Sequence, residues 1–81
     1  MRLVSMYDKA MKAFNPPIPV NGVGAFARLL SDELNKENPT EMFAKHPKDF
    51  SLFEVGSFDE TTGKVVPVEP TFLLELESLV S

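Results

Sequence analysis

The stretch HPKDFSLFEVGSFDETTGKV, residues 46–65, decides the fold of this chain. From Phe50 to Phe58, aromatic and aliphatic residues alternate with polar ones in the manner of a β-strand. The loop DETTG, residues 59–63, then begins with a turn-forming aspartate and ends with a glycine, where the backbone needs a left-handed residue to rejoin the ladder. Residues 64–68 return as a second strand. This stretch therefore predicts a β-hairpin.

Neither face of the first hairpin strand is uniformly polar. Phe50, Leu52 and Phe58 share one face of this strand. Phe53 and Val55 lie on the other. A strand with apolar residues on both faces must be covered on both. We therefore expect this strand in the centre of its sheet or beneath a partner subunit.

The N-terminal part of the chain predicts a short strand, one helical turn and a stiff connector. Residues 1–7 alternate as in a strand. Asp8 is a suitable cap for one helical turn over the following residues, with Phe14 turned inward. Three prolines in NPPIPV, residues 15–20, exclude a helix there and predict an extended connector or an edge strand.

Residues 21–36 form the main amphipathic helix that the sequence predicts. Its apolar residues recur at helical spacing, at Val23, Phe26, Ala27, Leu30 and Leu34. Asn21 is a suitable N-cap for this helix. Gly22 and Gly24 in the first turn favour close packing over an anion site, because no phosphate-binding glycine motif surrounds them.

The segments on either side of the hairpin are less regular. Thr40 is a suitable cap for a short turn over residues 41–45. Pro67 indicates an edge position for the return strand, and Pro70 is expected to end that strand. The tail TFLLELESLV, residues 71–80, fits either a helix or another strand, with its helix propensity favouring a helix.

Composition limits the chain to one small domain with a thin core. A chain of 81 residues buries only about 60% of its unfolded surface. There is no cysteine and a single histidine, so disulfides and thiolate metal sites are excluded and a structural zinc site is not expected. Oligomerisation is the remaining route to more burial, and we therefore expect a homodimer.

Taken together, these patterns predict the α+β class for a single domain of residues 1–81. We expect a small, mostly antiparallel sheet that contains the N-terminal strand and the hairpin. One main amphipathic helix packs on this sheet. No stretch approaches the about 20 apolar residues of a membrane span, and the N-terminus has no signal-peptide pattern. We therefore expect a soluble, intracellular protein that does not enter a membrane.

No arrangement of residues in the sequence points to catalysis, and we do not expect an enzyme. His46 lies beside a proline and between lysines, which is typical of a surface residue. The adjacent carboxylates Asp59 and Glu60 fall in the hairpin turn, where solvated side chains are the rule. No spacing of residues indicates a metal site or a cofactor.

A basic cluster beside aromatic residues is the strongest candidate site. Lys45, His46 and Lys48 immediately precede Phe50 and Phe53. Proteins bind single-stranded nucleic acid with positive charge along the phosphates and flat rings on which bases stack. Four basic residues elsewhere in the chain extend this candidate site, namely Arg2, Lys9, Lys12 and Lys64. The alternative is that the phenylalanines belong to the core and the lysines to a solvated loop.

The net charge of the chain argues against a protein that coats nucleic acid through its overall charge. The chain carries a formal net charge of −4 at pH 7, so binding of nucleic acid by overall charge is not expected. A local basic patch on an acidic body is then required. An acidic surface better suits the alternative function, a protein-interaction module that binds a host factor or a host defence component.

The opening stretch also resembles a segment of a small nonstructural protein family of gokushovirus-type microviruses, which are phages with single-stranded DNA. The resemblance extends to Tyr7, Asp8, Lys9 and Ala10, to the prolines at 16 and 17, and to Ala27, Arg28 and Asp32. It implies a DNA-binding protein of the host cytoplasm, absent from the mature virion. Its implied partners are viral single-stranded DNA and the replication or capsid proteins, during viral DNA synthesis and packaging. It implies no catalytic residue.

Overall fold

The predicted hairpin is present and forms two strands of a five-stranded antiparallel sheet. A computed structural model of the chain describes residues 1–81. Its strands are β1 (Arg2–Asp8), β2 (Ala13–Phe14), β3 (Ile18–Val20), β4 (Phe50–Phe58) and β5 (Val65–Glu75). Its helices are α1 (Val23–Leu34) and α2 (Met42–Lys45), with 3₁₀ turns at Pro47–Asp49 and Leu76–Leu79. The prediction of an α+β fold with one main helix is confirmed.

Strand β4 lies inside the sheet, as its two apolar faces predict. The sheet order is β2-β1-β4-β5, and β3 pairs with the same edge of β1 as β2 does. β4 is thus bonded on both edges, to β1 and to β5. Its residue Leu52 has no exposed surface. β5 is an edge strand, as Pro67 indicates.

The hydrophobic core lies between one face of the sheet and the helices. It consists of nine buried residues: Val4, Met6, Val20, Leu30, Leu34, Ala44, Phe50, Leu52 and Leu76. Burying one large apolar side chain stabilises a fold by about 1.5–3 kcal/mol, so this small set carries most of the hydrophobic stabilisation. Ser31 and Asn35 fix α1 to the C-terminal turn, because both side chains donate to the Leu79 carbonyl at 3.2 Å.

The segment after β1 folds as a β-turn and not as the predicted helical turn. The Asp8 carboxylate accepts hydrogen bonds from the N–H groups two and three residues later, at 3.0 and 3.2 Å. Lys12 has a left-handed backbone with φ of 54°. The chain then returns as β2, which places Phe14 opposite Tyr7. An aspartate can satisfy such a turn as readily as a helix start, so the sequence signal was ambiguous.

Helix α1 begins without the predicted cap. Gly22 occupies the cap position in an extended conformation, and no side chain bonds to the helix N-terminus. Asn21 therefore does not cap the helix. The predicted core positions Leu30 and Leu34 are confirmed as buried. In the short helix α2, Glu41 and not Thr40 stands at the cap position.

Strand β5 passes through both of its prolines, so the prediction that Pro70 ends the strand is wrong. β5 continues to Glu75, and the tail that the sequence left open is therefore strand followed by a 3₁₀ turn. An edge strand needs N–H donors on one side only, and it can therefore hold a proline. Register shifts in the pairing with β4 occur between Leu52 and Phe53 and between Glu54 and Gly56.

Two glycines shape the hairpin. At the second register shift, a Cβ on Gly56 would lie 2.6 Å from the Val66 carbonyl oxygen, so only glycine allows β5 to approach this closely. Gly63 has φ of +76°, the left-handed conformation that the loop sequence predicts. Its N–H donates to the Asp59 carbonyl at 2.7 Å and closes the turn.

Replacing Gly63 by valine is expected to lower the free energy of unfolding by about 1 kcal/mol or more, because a β-branched residue is strained at positive φ. A matched control is Gly24→Ala in α1, where an added Cβ meets no atom within 4 Å. That change should raise stability by up to about 1 kcal/mol, as alanine favours the helix. Urea unfolding of the three proteins measures both effects, and equal midpoints would contradict the assignment of the turn.

Candidate nucleic-acid interface

The face of the sheet opposite the core carries a cluster of four aromatic rings, hereafter the aromatic cluster. It consists of Tyr7, Phe14, Phe53 and Phe72, one each from β1, β2, β4 and β5. The ring centroids of Tyr7 and Phe14 are 4.7 Å apart, and those of Phe14 and Phe53 are 5.4 Å apart. Phe53 also meets Phe72 edge-on at 5.8 Å. These tilted and edge-to-face contacts are the arrangements that aromatic pairs favour.

The strand register is what brings the four rings together. Residues directly opposite in antiparallel strands share a face. The pairing yields two adjacent rows across the open face, one of Phe14, Tyr7, Ser51 and Glu75 and the other of Ser5, Phe53 and Phe72. The two serines are buried between the rings, with exposed fractions of 1% for Ser5 and 3% for Ser51. Their small size leaves the rings standing above the sheet.

The aromatic cluster presents ring surface to solvent. Phe14 is 45% exposed and Phe72 is 53% exposed. Tyr7 and Phe53 are half-buried between them. The buried core residues lie on the other face, beneath α1 and the C-terminal turn. This open face therefore offers flat apolar rings for stacking.

An ion pair and its hydrogen bonds fix one end of the open face. The Lys9 ammonium lies 2.6 Å from a Glu75 carboxylate oxygen and also donates to the Lys48 carbonyl at 3.2 Å. The Ser51 hydroxyl lies 2.9 Å from both oxygens of the same carboxylate and donates to it. The bond from Lys9, followed by that from Ser51, lowers the pKa of Glu75 below its ordinary value despite partial burial. These contacts join the ends of β1 and β5 to the segment before β4.

Most of the predicted basic residues lie at this same end of the sheet. β1 ends here and β4 begins here, and the segments around these points carry Lys9, Lys12, Lys45, His46 and Lys48. All five are exposed, and among their side chains only Lys9 makes an ion pair. The sequence-derived cluster of Lys45, His46 and Lys48 is therefore joined by two further lysines of the β1–β2 turn.

Two predicted basic residues lie at the other end of the sheet. Arg2 is opposite Ser57 and pairs with Glu54 at 3.7 Å. Lys64 follows the hairpin turn, and the hairpin does not curl back to bring it near Lys48. A strand of this length places about 26 Å between the two ends. Lys64 and Arg2 are thus separated from the basic end of the open face.

The two predicted aromatic residues are divided between the faces. Phe50 is 3% exposed and belongs to the core, so it leaves the candidate site. Phe53 directly follows the core residue Leu52, so its side chain points to the opposite face and lies in the aromatic cluster. The sequence did not identify Tyr7, Phe14 and Phe72 as members of the candidate site. Only Tyr7 had a local signal, its place on the strand face opposite Met6.

Neither a metal site nor a membrane-spanning helix is evident in the structure. No group of three or more acidic or histidine side chains is placed to hold a metal ion. None of the helices is both long and apolar enough to span a membrane. The Asp59 carboxyl of the hairpin turn accepts a bond from the Thr61 N–H, which lowers its pKa, with further bonds from Thr62. This carboxyl is structural, because its bonds hold the turn.

Replacing Glu75 by glutamine is expected to lower the free energy of unfolding at neutral pH by about 0.5–1 kcal/mol, the scale of an exposed ion pair. Because the pKa of Glu75 is lowered in the fold, its contribution is present above the ordinary pKa and is lost as the pH falls through the folded-state value. The difference in melting temperature between wild type and variant should therefore shrink in acid.

The matched control for this change is Glu77→Gln, since Glu77 is exposed and its side chain makes no ion pair. It should leave the melting temperature unchanged at both neutral and strongly acidic pH. Thermal melts of the three proteins at both pH values make the comparison. A Glu75→Gln deficit of the same size in acid would show that the lysine contact does not stabilise the fold.

Comparison with known proteins identifies the family of the chain. A family model described as Phage ORF5 protein matches residues 1–79. Comparisons with curated proteins and with solved structures gave no match. The family match covers the whole sheet, α1 and the aromatic cluster. The chain therefore belongs to the Phage ORF5 protein family.

Proposed function

We propose that this phage protein binds single-stranded DNA on the open face of its sheet, as a non-enzymatic accessory protein. The observation that carries the proposal is the aromatic cluster, whose rings Phe14 and Phe72 are about half exposed on the face of the sheet opposite the core. Its place of action would be the host cytoplasm, during synthesis or packaging of the viral strand in a gokushovirus-type infection. The resemblance of residues 46–65 to nonstructural proteins of these phages supports this setting.

Stacking on the rings supplies the sequence-independent part of the binding energy. A base stacked on an aromatic side chain contributes about 1–3 kcal/mol, whichever base it is. Phe14 and Phe72 are about half exposed, and they stand on either side of Phe53. A duplex keeps the faces of its bases stacked on each other, so these rings select the single strand.

The lysines at the end of the sheet where β4 begins supply contacts to phosphate. Lys12, Lys45 and Lys48 are exposed and make no ion pair within the chain, so their charge is available. Each phosphate contact contributes about 0.7 to the slope of log K against log salt on a single strand. With a net charge of −4, the protein as a whole repels DNA. Affinity therefore depends on stacking and on this local patch, and the salt slope should be shallow.

A protein-interaction module is the second candidate function. The observation that favours it is the acidic net charge of −4 together with exposed apolar side chains such as Leu29, which is 64% exposed. Its partner would be a replication or capsid protein, a host factor or a host defence component. Binding to a protein partner through apolar surface would not weaken with salt in the way that phosphate contacts do.

Replacing Phe72 by leucine tests the stacking directly, since leucine keeps an apolar side chain but lacks a flat ring. Affinity for a single-stranded oligonucleotide should fall by about five-fold or more, the equivalent of one lost stacking contact. Fluorescence anisotropy with single-stranded and duplex oligonucleotides, side by side at low salt, measures it. Phe58→Leu is the matched control, because Phe58 lies on β4 outside the aromatic cluster.

The control should bind as wild type does, within about two-fold. Equal affinity of Phe72→Leu and wild type would remove the aromatic cluster from the binding site. A wild-type protein that binds no single strand at low salt would leave the protein-interaction module as the better account.

Replacing both Lys45 and Lys48 by glutamine should flatten the salt slope by about 1–1.5 and weaken binding to all sequences alike, because two phosphate contacts are lost. A double control, Arg28→Gln with Lys36→Gln, removes the same formal charge at Arg28 in α1 and at Lys36 just after it, where Lys36 pairs with Glu33. The slope of that control should match wild type. Identical slopes for all three proteins would show that Lys45 and Lys48 belong to a solvated loop.

A further inference from the structure

The junction between β3 and α1 is an asparagine followed by a glycine. Asn21 and Gly22 alone link the buried end of β3 at Val20 to the first residue of α1, Val23. The Asn21 side chain is exposed and makes no hydrogen bond within the chain. The N–H of Gly22 likewise donates to no carbonyl or side chain. The side-chain amide and the neighbouring backbone nitrogen are therefore both free to react.

The three other asparagines of the chain lack this combination. Asn15 and Asn38 each precede a proline, which has no N–H. Asn35 is held at both ends of its amide. Its nitrogen donates to the Ser31 carbonyl at 2.8 Å, and its oxygen accepts from the Ser81 N–H at 2.9 Å. These bonds keep the amide away from the backbone nitrogen that follows it, so the asparagine of the β3–α1 junction differs from all the others.

Glycine at position 22 favours attack on the preceding side chain. Glycine has no Cβ, so its nitrogen can approach a neighbouring carbonyl carbon without steric hindrance. A Cβ built at Gly22 would meet no atom within 4 Å, and the chain bends at Asn21. The space at this position lets the backbone rotate until the Gly22 nitrogen meets the Asn21 side chain.

We propose that Asn21 is a site of spontaneous deamidation in the folded protein, with water as the co-reactant. The Gly22 nitrogen gives up its proton to hydroxide and attacks the side-chain carbonyl carbon of Asn21. A bond forms between this nitrogen and that carbon, the carbon–nitrogen bond of the amide breaks, and ammonia leaves with a proton taken from water. Water then adds to one carbonyl of the resulting cyclic imide and opens the ring. The product is aspartate or isoaspartate, depending on which carbonyl the water attacks.

The new carboxylate lies beside the N-terminus of α1. No acidic residue is present in the first turn of α1, and no side chain bonds to its N–H groups. Negative charge at a helix N-terminus is favourable, so we expect the aspartate product to keep the fold. The isoaspartate product carries the backbone through the side-chain carbon and adds one carbon to a junction of two residues, so it should weaken the attachment of β3 to α1.

Ageing of the folded chain at mildly alkaline pH, followed by tryptic digestion and mass spectrometry, tests this site. Cleavage after Lys12, Arg28 and Lys36 places Asn21 and Asn35 in different peptides. Peptide 13–28 should convert from amide to acid at Asn21, whereas peptide 29–36 should keep its amide over the same time. On ion exchange, the aged protein should yield more acidic species, one of which elutes with the variant Asn21→Asp. These measurements involve no DNA, so their outcome is separate from the proposed binding function.

Gly22→Ala is the matched variant, since its Cβ enters open space and the φ of −154° suits any residue. It should keep the wild-type melting temperature and lose most of the conversion at Asn21, because the added methyl group hinders the nitrogen. A parallel ageing series in urea supplies the unfolded reference. Conversion of Asn21 in urea but not in the folded chain would overturn the proposal, and so would equal conversion of wild type and Gly22→Ala.

Discussion

The placement of β4 in the interior of the sheet is the constraint on which the rest of the structure depends. Its residues are apolar on both faces, and the two faces have different surroundings. Helix α1 and the C-terminal turn cover the face with Phe50 and Leu52, and this layer makes the core. The other face holds Phe53, which is covered only by neighbouring rings. No helix or second sheet packs on this face in the structure, and its aromatic side is open.

The hairpin was predictable because its signals are local. Glycine at position 63 and aspartate at position 59 lie in one loop, and they adopt the positive φ and the turn bonds that their types favour. The turn after β1 was not predictable in the same way. Asp8 has the same capping chemistry in a β-turn as at a helix start, and only the pairing of Phe14 with Tyr7 decides between them. That pairing is a contact of the folded sheet, which the local sequence does not determine.

The candidate site likewise has one part that the local sequence predicts and one part that depends on strand pairing. Its charges were readable from the sequence, since Lys45 and Lys48 are neighbours in the chain. Its rings were not, because Phe14 and Phe72 join Phe53 only through the register of four strands. The register shift between Leu52 and Phe53 decides which residue of β5 stands beside Phe53. No local pattern predicts such a shift.

Tyrosine fluorescence gives the most direct test of the claim that DNA stacks on the open face. The chain has one tyrosine and no tryptophan, so its emission reports on Tyr7 alone, within the aromatic cluster. Titration with a single-stranded oligonucleotide at low salt should quench this emission to saturation, and a duplex of equal length should leave it nearly unchanged. Binding of the single strand with unchanged emission would place the DNA elsewhere on the protein and contradict the account.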